Sequence, residues 1–236
     1  MNQIIFLDTE TTGLDDKARL VQLAYKVGET GQPVNLFFRP PAPISFEAMA
    51  VHHITNEFVE NAKPFFSSSE KIELQKLLEN GILVAHNAKF DIKILANEGL
   101  TVRNFICTEK IARHLIESDS YQLQYLRYSL GLDKMLGQAA PAHDAAGDII
   151  VLEALFSYLI DQAAKAGWVD SMAAQMVELS NKPVLLKKID FGKYKGMPFN
   201  ILFASDPNYL QWLLRQEFVQ ENENLCFTIN HYLAKS

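Results

Sequence analysis

Two carboxylates, Asp8 and Glu10, stand two residues apart in the run Leu7-Asp8-Thr9-Glu10-Thr11-Thr12-Gly13-Leu14. At the end of a β-strand, period-two geometry points both side chains to the same side of the sheet. Like charges so placed repel and desolvate one another unless something positive sits between them. Hard oxygen ligands at this spacing suit Mg²⁺ or Mn²⁺ far better than Zn²⁺. An isolated Asp-x-Glu is more often a pair of exposed strand-end acids, so the pair alone is a weak signal.

Two further clusters carry chemistry. Asp91 closes Ala85-His86-Asn87-Ala88-Lys89-Phe90-Asp91, behind an apolar stretch that reads as a buried strand. An acid in a first helical turn commonly compensates the helix dipole. The same place, at the strand ends of an open sheet, is also where ligands bind. His143 and Asp148 lie five apart in Ala142-His143-Asp144-Ala145-Ala146-Gly147-Asp148, where a long helix opens. That spacing lets both aim at one site. Asp144 reads most simply as dipole compensation and receives no role.

The elements that must position these residues are legible in outline. Gln3 to Asp8, Leu20 to Val27 and Val34 to Arg39 are short, apolar and separated by turn residues, so they read as strands. Connections this short favour antiparallel neighbours. Ser45 is a candidate N-cap for a helix over Phe46 to Val51, and a longer helix from Ser69 to Glu79 stops at Asn80-Gly81. Ile82 to His86 then reads as a buried strand, Asp91 to Glu98 as a helix ending at Gly99, and Phe105 to Cys107 as a last strand. Helices follow from Thr108, including a long one from Asp144 to about Lys165. Three strands followed by strand–helix alternation specify an α/β fold, a mixed sheet with helices on its faces.

Asn181-Lys182-Pro183 interrupts the helices and suggests a domain boundary near residue 180. Beyond it, residues 181–236 read as a small α+β module: a hairpin around Gly192 to Gly196, then helices near Asn200, Pro207 and Asn222. Tyr209 and Trp212, three apart on one of those helices, read as core. Charge divides at the same place. The whole chain carries −6, but residues 180–236 hold two more bases than acids, with Lys182, Lys187, Lys188, Lys193 and Lys195 set against Asp190 alone. Such a run is ordinarily a solvated face. The acidic body fits carboxylates gathered for divalent metal, which inverts the local field when bound. Two widely separated cysteines, Cys107 and Cys226, fit a reducing cytoplasm, and no segment reads as a signal peptide or a membrane span.

Taken together, and in this order, the DTETTGL, HNAKFD and HDAAGD segments resemble the DEDDh family of 3′→5′ exonucleases. The resemblance spans residues 4–160, and Ala48 to Thr55 is similar to the family's segment before its second motif. The tail, with Phe191-Gly192-Lys193-Tyr194-Lys195-Gly196 and Asp206-Pro207-x-Tyr209-Leu210-x-Trp212-Leu213, is similar to the C-terminal part of a bacterial branch of that family. The resemblance implies a ribonuclease H-like fold with a five-stranded mixed sheet. It implies hydrolysis of DNA from the 3′ end to nucleoside 5′-monophosphates, with two Mg²⁺ or Mn²⁺ ions per site. The implied metal ligands are Asp8, Glu10, Asp91 and Asp148, with His143 as general base. Thr11, Leu14, His52, Asn87 and Phe90 are the implied substrate contacts. The implied partner is DNA, single-stranded or with an accessible 3′ end, in cytoplasmic DNA repair. RNA is the alternative substrate, since discrimination rests on contacts to the 2′ position. Polymerase proofreading subunits use the same five residues, and a catalytically silent binding module is the competing class.

Overall fold

The computed structural model of the chain describes residues 3–134, 136, 142–168 and 171–234. Its residues gather into two compact units, 1–180 and 181–236. The first is built on the expected five-stranded mixed sheet: β1 (Gln3–Thr11), β2 (Leu20–Val27), β3 (Val34–Phe37), β4 (Gly81–Ala85) and β5 (Phe105–Cys107). Spatial order is β3-β2-β1-β4-β5, so β1 is central. The β1–β2 and β2–β3 pairs are antiparallel, whereas β1–β4 and β4–β5 are parallel.

Alternation along β1 builds two cores. Ile5 and Leu7 face one way, packing with Leu23, Leu83 and Ala85 against helices α3 (Ser69–Asn80) and α4 (Lys89–Asn97), through Leu74, Leu78, Ile94 and Leu95. Phe6 faces the other way, with Ala24, Val84 and Ile106. It meets α7 (Ala145–Lys165), which follows α1 (Phe46–His52), α2 (Asn56–Val59), α5 (Thr108–Leu115) and α6 (Leu123–Ser129). Buried Ala145, Ile149, Leu152, Leu155 and Leu159 recur three or four apart on α7 and form its sheet-facing stripe. α8 (Met172–Ser180) completes this unit, with Met176 fully buried.

Two local expectations change. β1 runs three residues past Asp8, through Thr11, because the acids continue the strand's pairing with β2: Asp8 lies opposite Ala24 and Glu10 opposite Gln22. The helix stop at Gly81 does not use the left-handed conformation, since φ there is −103°. Glycine is needed for space instead: a Cβ would fall 2.6 Å from Ile5 Cδ1 and 2.9 Å from the carbonyls of Gln3 and Leu77. Gly99, by contrast, follows α4 with φ +79°, the conformation that ordinarily requires glycine.

Residues 181–236 form α9 (Phe199–Ser205), α10 (Pro207–Leu213), α11 (Glu217–Glu221) and α12 (Glu223–Leu233) around Phe199, Leu202, Leu210, Leu213, Val219, Leu225 and Ile229. The expected hairpin shrinks to one antiparallel bridge, Lys188 with Pro198, so the described residues of this unit hold no strand and the α+β description becomes all-helical. Pro198 has no N–H to extend a ladder, and it caps α9. The expectation for Trp212 is also overturned: its side chain is 51% exposed. Leu210 and Leu213 occupy the inward face of α10, which turns residues 209 and 212 about 100° aside.

One buried ion pair anchors the loop after β1. The Arg19 guanidinium donates twice to the Glu98 carboxylate, each at 2.8 Å, and the Leu20 amide donates to it at 3.2 Å. Removing one partner of a buried pair costs about 3–5 kcal/mol; with Arg19 a quarter exposed, Glu98→Ala should cost about 2–3 kcal/mol. Urea denaturation should show this as a lower midpoint at unchanged slope, and an unshifted midpoint would make the pair idle.

Candidate active site

The extension of β1 places Asp8 and Glu10 on the face that carries α7. There they meet Asp148, one turn into that helix, and one carboxylate oxygen from each of the three lies within 4.8 Å of the others. Asp91 approaches from the opposite face, in the first turn of α4, and is buried. It stands outside the three-acid group. Thr9, which points to that face between the two acids, donates its hydroxyl to Asp91 Oδ1 at 2.8 Å. Asp91 is nonetheless the leading charged neighbour of Asp8. All four acids therefore converge on the C-terminal end of β1, three from one side of the sheet and one from the other.

Burial and mutual repulsion act in one direction here. The carboxyl of Asp8 is pushed well above its ordinary range, first by desolvation and then by the charges of Asp91, Asp148 and Glu10. Glu10 is pushed up to about 8 by desolvation, then by Asp148 and Asp91. Desolvation also raises Asp91 to about 7, against the opposing hydrogen bond from Thr9, and Asp148 to about 6. Asp148 is the least perturbed because Gln124 Nε2 donates to its Oδ1 and His143 lies close enough to favour the anion.

His143 is exposed and sits just before α7 with φ +57°, a left-handed conformation that histidine adopts more readily than most residues. Asp144, given no role from sequence, is the N-cap of α7 but makes no side-chain cap bond. Instead it accepts from Gln22 Nε2 at 2.6 Å, and Gln22 also donates to Asn35 Oδ1 at 2.9 Å. Gln22 lies opposite Glu10 on β2 and is 1% exposed, so this network fixes the start of α7 to the strand bearing the acids. Sequence reasoning missed Thr9, Gln22 and Gln124. Thr9 had a signal, since alternation sends it to the face from which Asp91 comes. Gln124 had none, because its 24-residue separation from Asp148 crosses a chain turn that spacing cannot specify.

The expected substrate contacts separate into two groups. Leu14 is 82% exposed beyond the end of β1, and Asn87 is exposed with φ +57°. These two are available to a ligand. Phe90 is half-buried and packs against the α3/α4 core. Thr11 is buried and donates its hydroxyl to the Gly13 carbonyl at 2.7 Å. His52 is buried too, and both of its ring nitrogens are committed: the Ile54 amide donates to Nδ1 at 3.0 Å, which leaves Nε2–H to donate to the Thr11 carbonyl at 3.1 Å. Its place is thus that of a strut between α1 and the end of β1 rather than an open pocket wall.

This donor set fits a hard divalent cation. It consists of carboxylate oxygens alone, and every influence on Asp8 and Glu10 disfavours the anion that a cation would restore. Residues 5–156 match the exonuclease family (RNase T), and the chain belongs to that family. The family is metal-dependent, and the acidic cluster lies within the matched region. Among its relatives, exodeoxyribonuclease 10 of Escherichia coli strain K12 is 32% identical over 239 residues, covering 98% of each chain. The DNA polymerase III epsilon subunit of Rickettsia prowazekii is 33% identical over 138 residues, 52% of this chain and 59% of that one. A solved structure of exonuclease X in complex with 5′ overhanging duplex DNA superposes with a TM-score of 0.58 at 30% identity, covering 75% of this chain and 99% of the other.

The raised carboxyl groups set a pH dependence for the metal-free protein. Folded Glu10 keeps its proton to about 8, whereas an unfolded glutamate sheds it near 4.5, so between those values the native state binds more protons and stability falls as pH rises. Glu10→Gln, which cannot ionise, should escape that loss. In chelator its melting temperature should exceed the parent's by a margin that widens from about pH 5 to about pH 8. A constant or shrinking margin would show that Glu10 carries no such penalty.

Proposed function

We propose that the chain is a 3′→5′ exodeoxyribonuclease that hydrolyses DNA from its 3′ terminus to nucleoside 5′-monophosphates. The observation that carries this reading is the convergence of Asp8, Glu10 and Asp148 within 4.8 Å at the end of β1, with buried Asp91 beside them. Near-full-length similarity to exodeoxyribonuclease 10 favours DNA over RNA. All four acids and His143 are present, which argues against a binding module that has lost catalysis.

In this reading Asp8, Glu10, Asp91 and Asp148 hold two Mg²⁺ or Mn²⁺ ions. Bound there, the ions supply charge stabilisation for the phosphoryl oxygens and lower the pKa of a bound water. Gln124 orients Asp148 and favours its anion, and Thr9 orients Asp91 and partly offsets the effect of its burial. His143 accepts the proton of the attacking water; its exposed ring exchanges that proton with solvent between turnovers. The Gln22–Asp144 bond holds His143 at the mouth of the site by fixing the residue that follows it. Leu14 and Asn87, both exposed, meet the terminal nucleotide without reading its base.

DNA and RNA oligomers labelled at either end, incubated with Mg²⁺, test the polarity and the sugar preference. The 5′-labelled DNA should shorten stepwise while the 3′ label is released as a mononucleotide; stepwise loss from the 5′ end, or faster shortening of RNA, would overturn the reading. Asp8→Ala, Glu10→Ala, Asp91→Ala and Asp148→Ala should each lose most turnover while remaining folded. Loss of a general base typically costs about 10²–10⁴-fold, so His143→Ala should lower turnover by that order and leave DNA affinity in Ca²⁺ unchanged. Wild-type turnover by His143→Ala across neutral pH would reduce His143 to a structural residue.

A further inference from the structure

The outward face of α10 carries a feature that the nuclease reading does not use. Trp212 stacks on Tyr209 with ring centroids 5.5 Å apart and planes at 29°, and Tyr209 meets Tyr194 edge-on at 4.9 Å. Lys193 Nζ lies 4.4 Å from the centre of the Tyr194 ring and 5.9 Å from that of Tyr209. Three aromatic rings and an ammonium group thus stand in series, from Tyr194 and Tyr209, which pack partly buried against the core of residues 181–236, to a half-exposed indole.

The surrounding contacts hold this series in place. Asp206 caps α10 by accepting from the Tyr209 amide at 3.1 Å, and it also accepts from the Tyr194 hydroxyl at 2.7 Å. Its carboxylate lies 3.7 Å from Lys193 Nζ, so Lys193 is partly compensated. Gly192, with φ +63°, lets the loop pass so close that a Cβ there would lie 3.1 Å from the Tyr209 hydroxyl. A single exposed aromatic needs no explanation. A fixed series of rings whose last member is half exposed leaves apolar area uncovered, and here it stands beside exposed Lys193 and Lys195 in the most basic stretch of an acidic chain.

We propose that the Tyr194–Tyr209–Trp212 series, with Lys193 and Lys195, is a second, non-catalytic binding site for single-stranded DNA in residues 181–236. Bases stack on the Trp212 face, and the lysines neutralise the phosphates that follow. Flat rings accept any base, so the site is tolerant of sequence. A duplex hides its base faces, which makes an unpaired strand the fitting occupant; an acidic peptide would match the lysines but leave the indole face without a planar partner. The proposal deepens the nuclease reading, since a strand held outside the carboxylate cluster stays tethered between successive cleavages.

Binding is read in the full chain, in chelator, so that nothing is cleaved. With Trp168→Phe, Trp212 is the only indole, and adding oligo-dT should quench its fluorescence. Against the same oligomer Trp212→Ala should bind about 5- to 150-fold more weakly, the range expected for one missing base–aromatic stack. Lys193→Gln with Lys195→Gln should flatten the slope of log affinity against log salt by about 0.7 for each phosphate no longer neutralised. Affinity for a blunt duplex should not change. With divalent ion restored, Trp212→Ala should remove fewer nucleotides per encounter yet hydrolyse a dinucleotide at the parent rate. Unquenched Trp212 fluorescence, or parental oligo-dT affinity in a folded Trp212→Ala protein, would overturn the proposal. The quenching arm leaves Trp212 intact and so stands even if its replacement disturbs folding. Failure of the nuclease reading is separate: the unaltered chain would leave 3′ ends intact in Mg²⁺ while still binding oligo-dT.

Discussion

Repulsion among carboxylates in a low-dielectric setting is the constraint on which the first unit is organised. Asp8 and Glu10 feel only influences that oppose their ionisation: burial by the sheet and the charges of Asp91, Asp148 and Asp144, with Glu10 acting on Asp8 as well. A protein keeps such an arrangement when a cation completes it, because the same oxygens that repel in its absence become ligands in its presence. The cost is localised at one strand end, and the surrounding sheet carries it. β1 lies between β2 and β4 and has apolar cores on both faces, so it cannot yield to the strain.

Two of the acids, and the turn that carries His143, are also constrained through an uncharged neighbour. Thr9 restrains Asp91, Gln124 restrains Asp148, and Gln22 restrains the turn that carries His143. All three are neutral donors. They orient a carboxylate or its neighbour without adding the positive charge that would compete with a metal ion. His52 extends the scheme to the substrate side, since its bond to the Thr11 carbonyl fixes the chain just before exposed Leu14. The register shift between Glu10 and Thr11 leaves Val21 as the extra residue of β2, a bulge where the strand leaves the site.

The sheet and the acidic positions were legible because they rest on period-two alternation and on motif spacing. Gln3 to Val27 announces two strands, and Asp-x-Glu announces a shared face. The supporting polar residues were not legible, because a glutamine or threonine gains meaning only from its partner across the fold. Gln124 and Asp148 are joined by tertiary packing and not by any local pattern. His52 looked like a pocket residue through the company it keeps in sequence, yet burial gave both of its nitrogens internal partners. In the tail, spacing of three correctly placed Tyr209 and Trp212 on one helix but could not say which face the core takes. Leu210 and Leu213 have the same spacing and won it.

The central claim, that this cluster is a cation-binding acid site, is tested most directly by counting protons. Calorimetric titration of the metal-free protein with Mn²⁺ near neutral pH, repeated in buffers of different ionisation enthalpy, gives the number released per ion bound. Glu10, raised to about 8, and Asp91, raised to about 7, hold protons under those conditions that metal ligation must displace. The account predicts net release of about one proton or more on saturation, falling toward zero as pH rises beyond these values. Binding without proton release at neutral pH, or no binding at all, would contradict it.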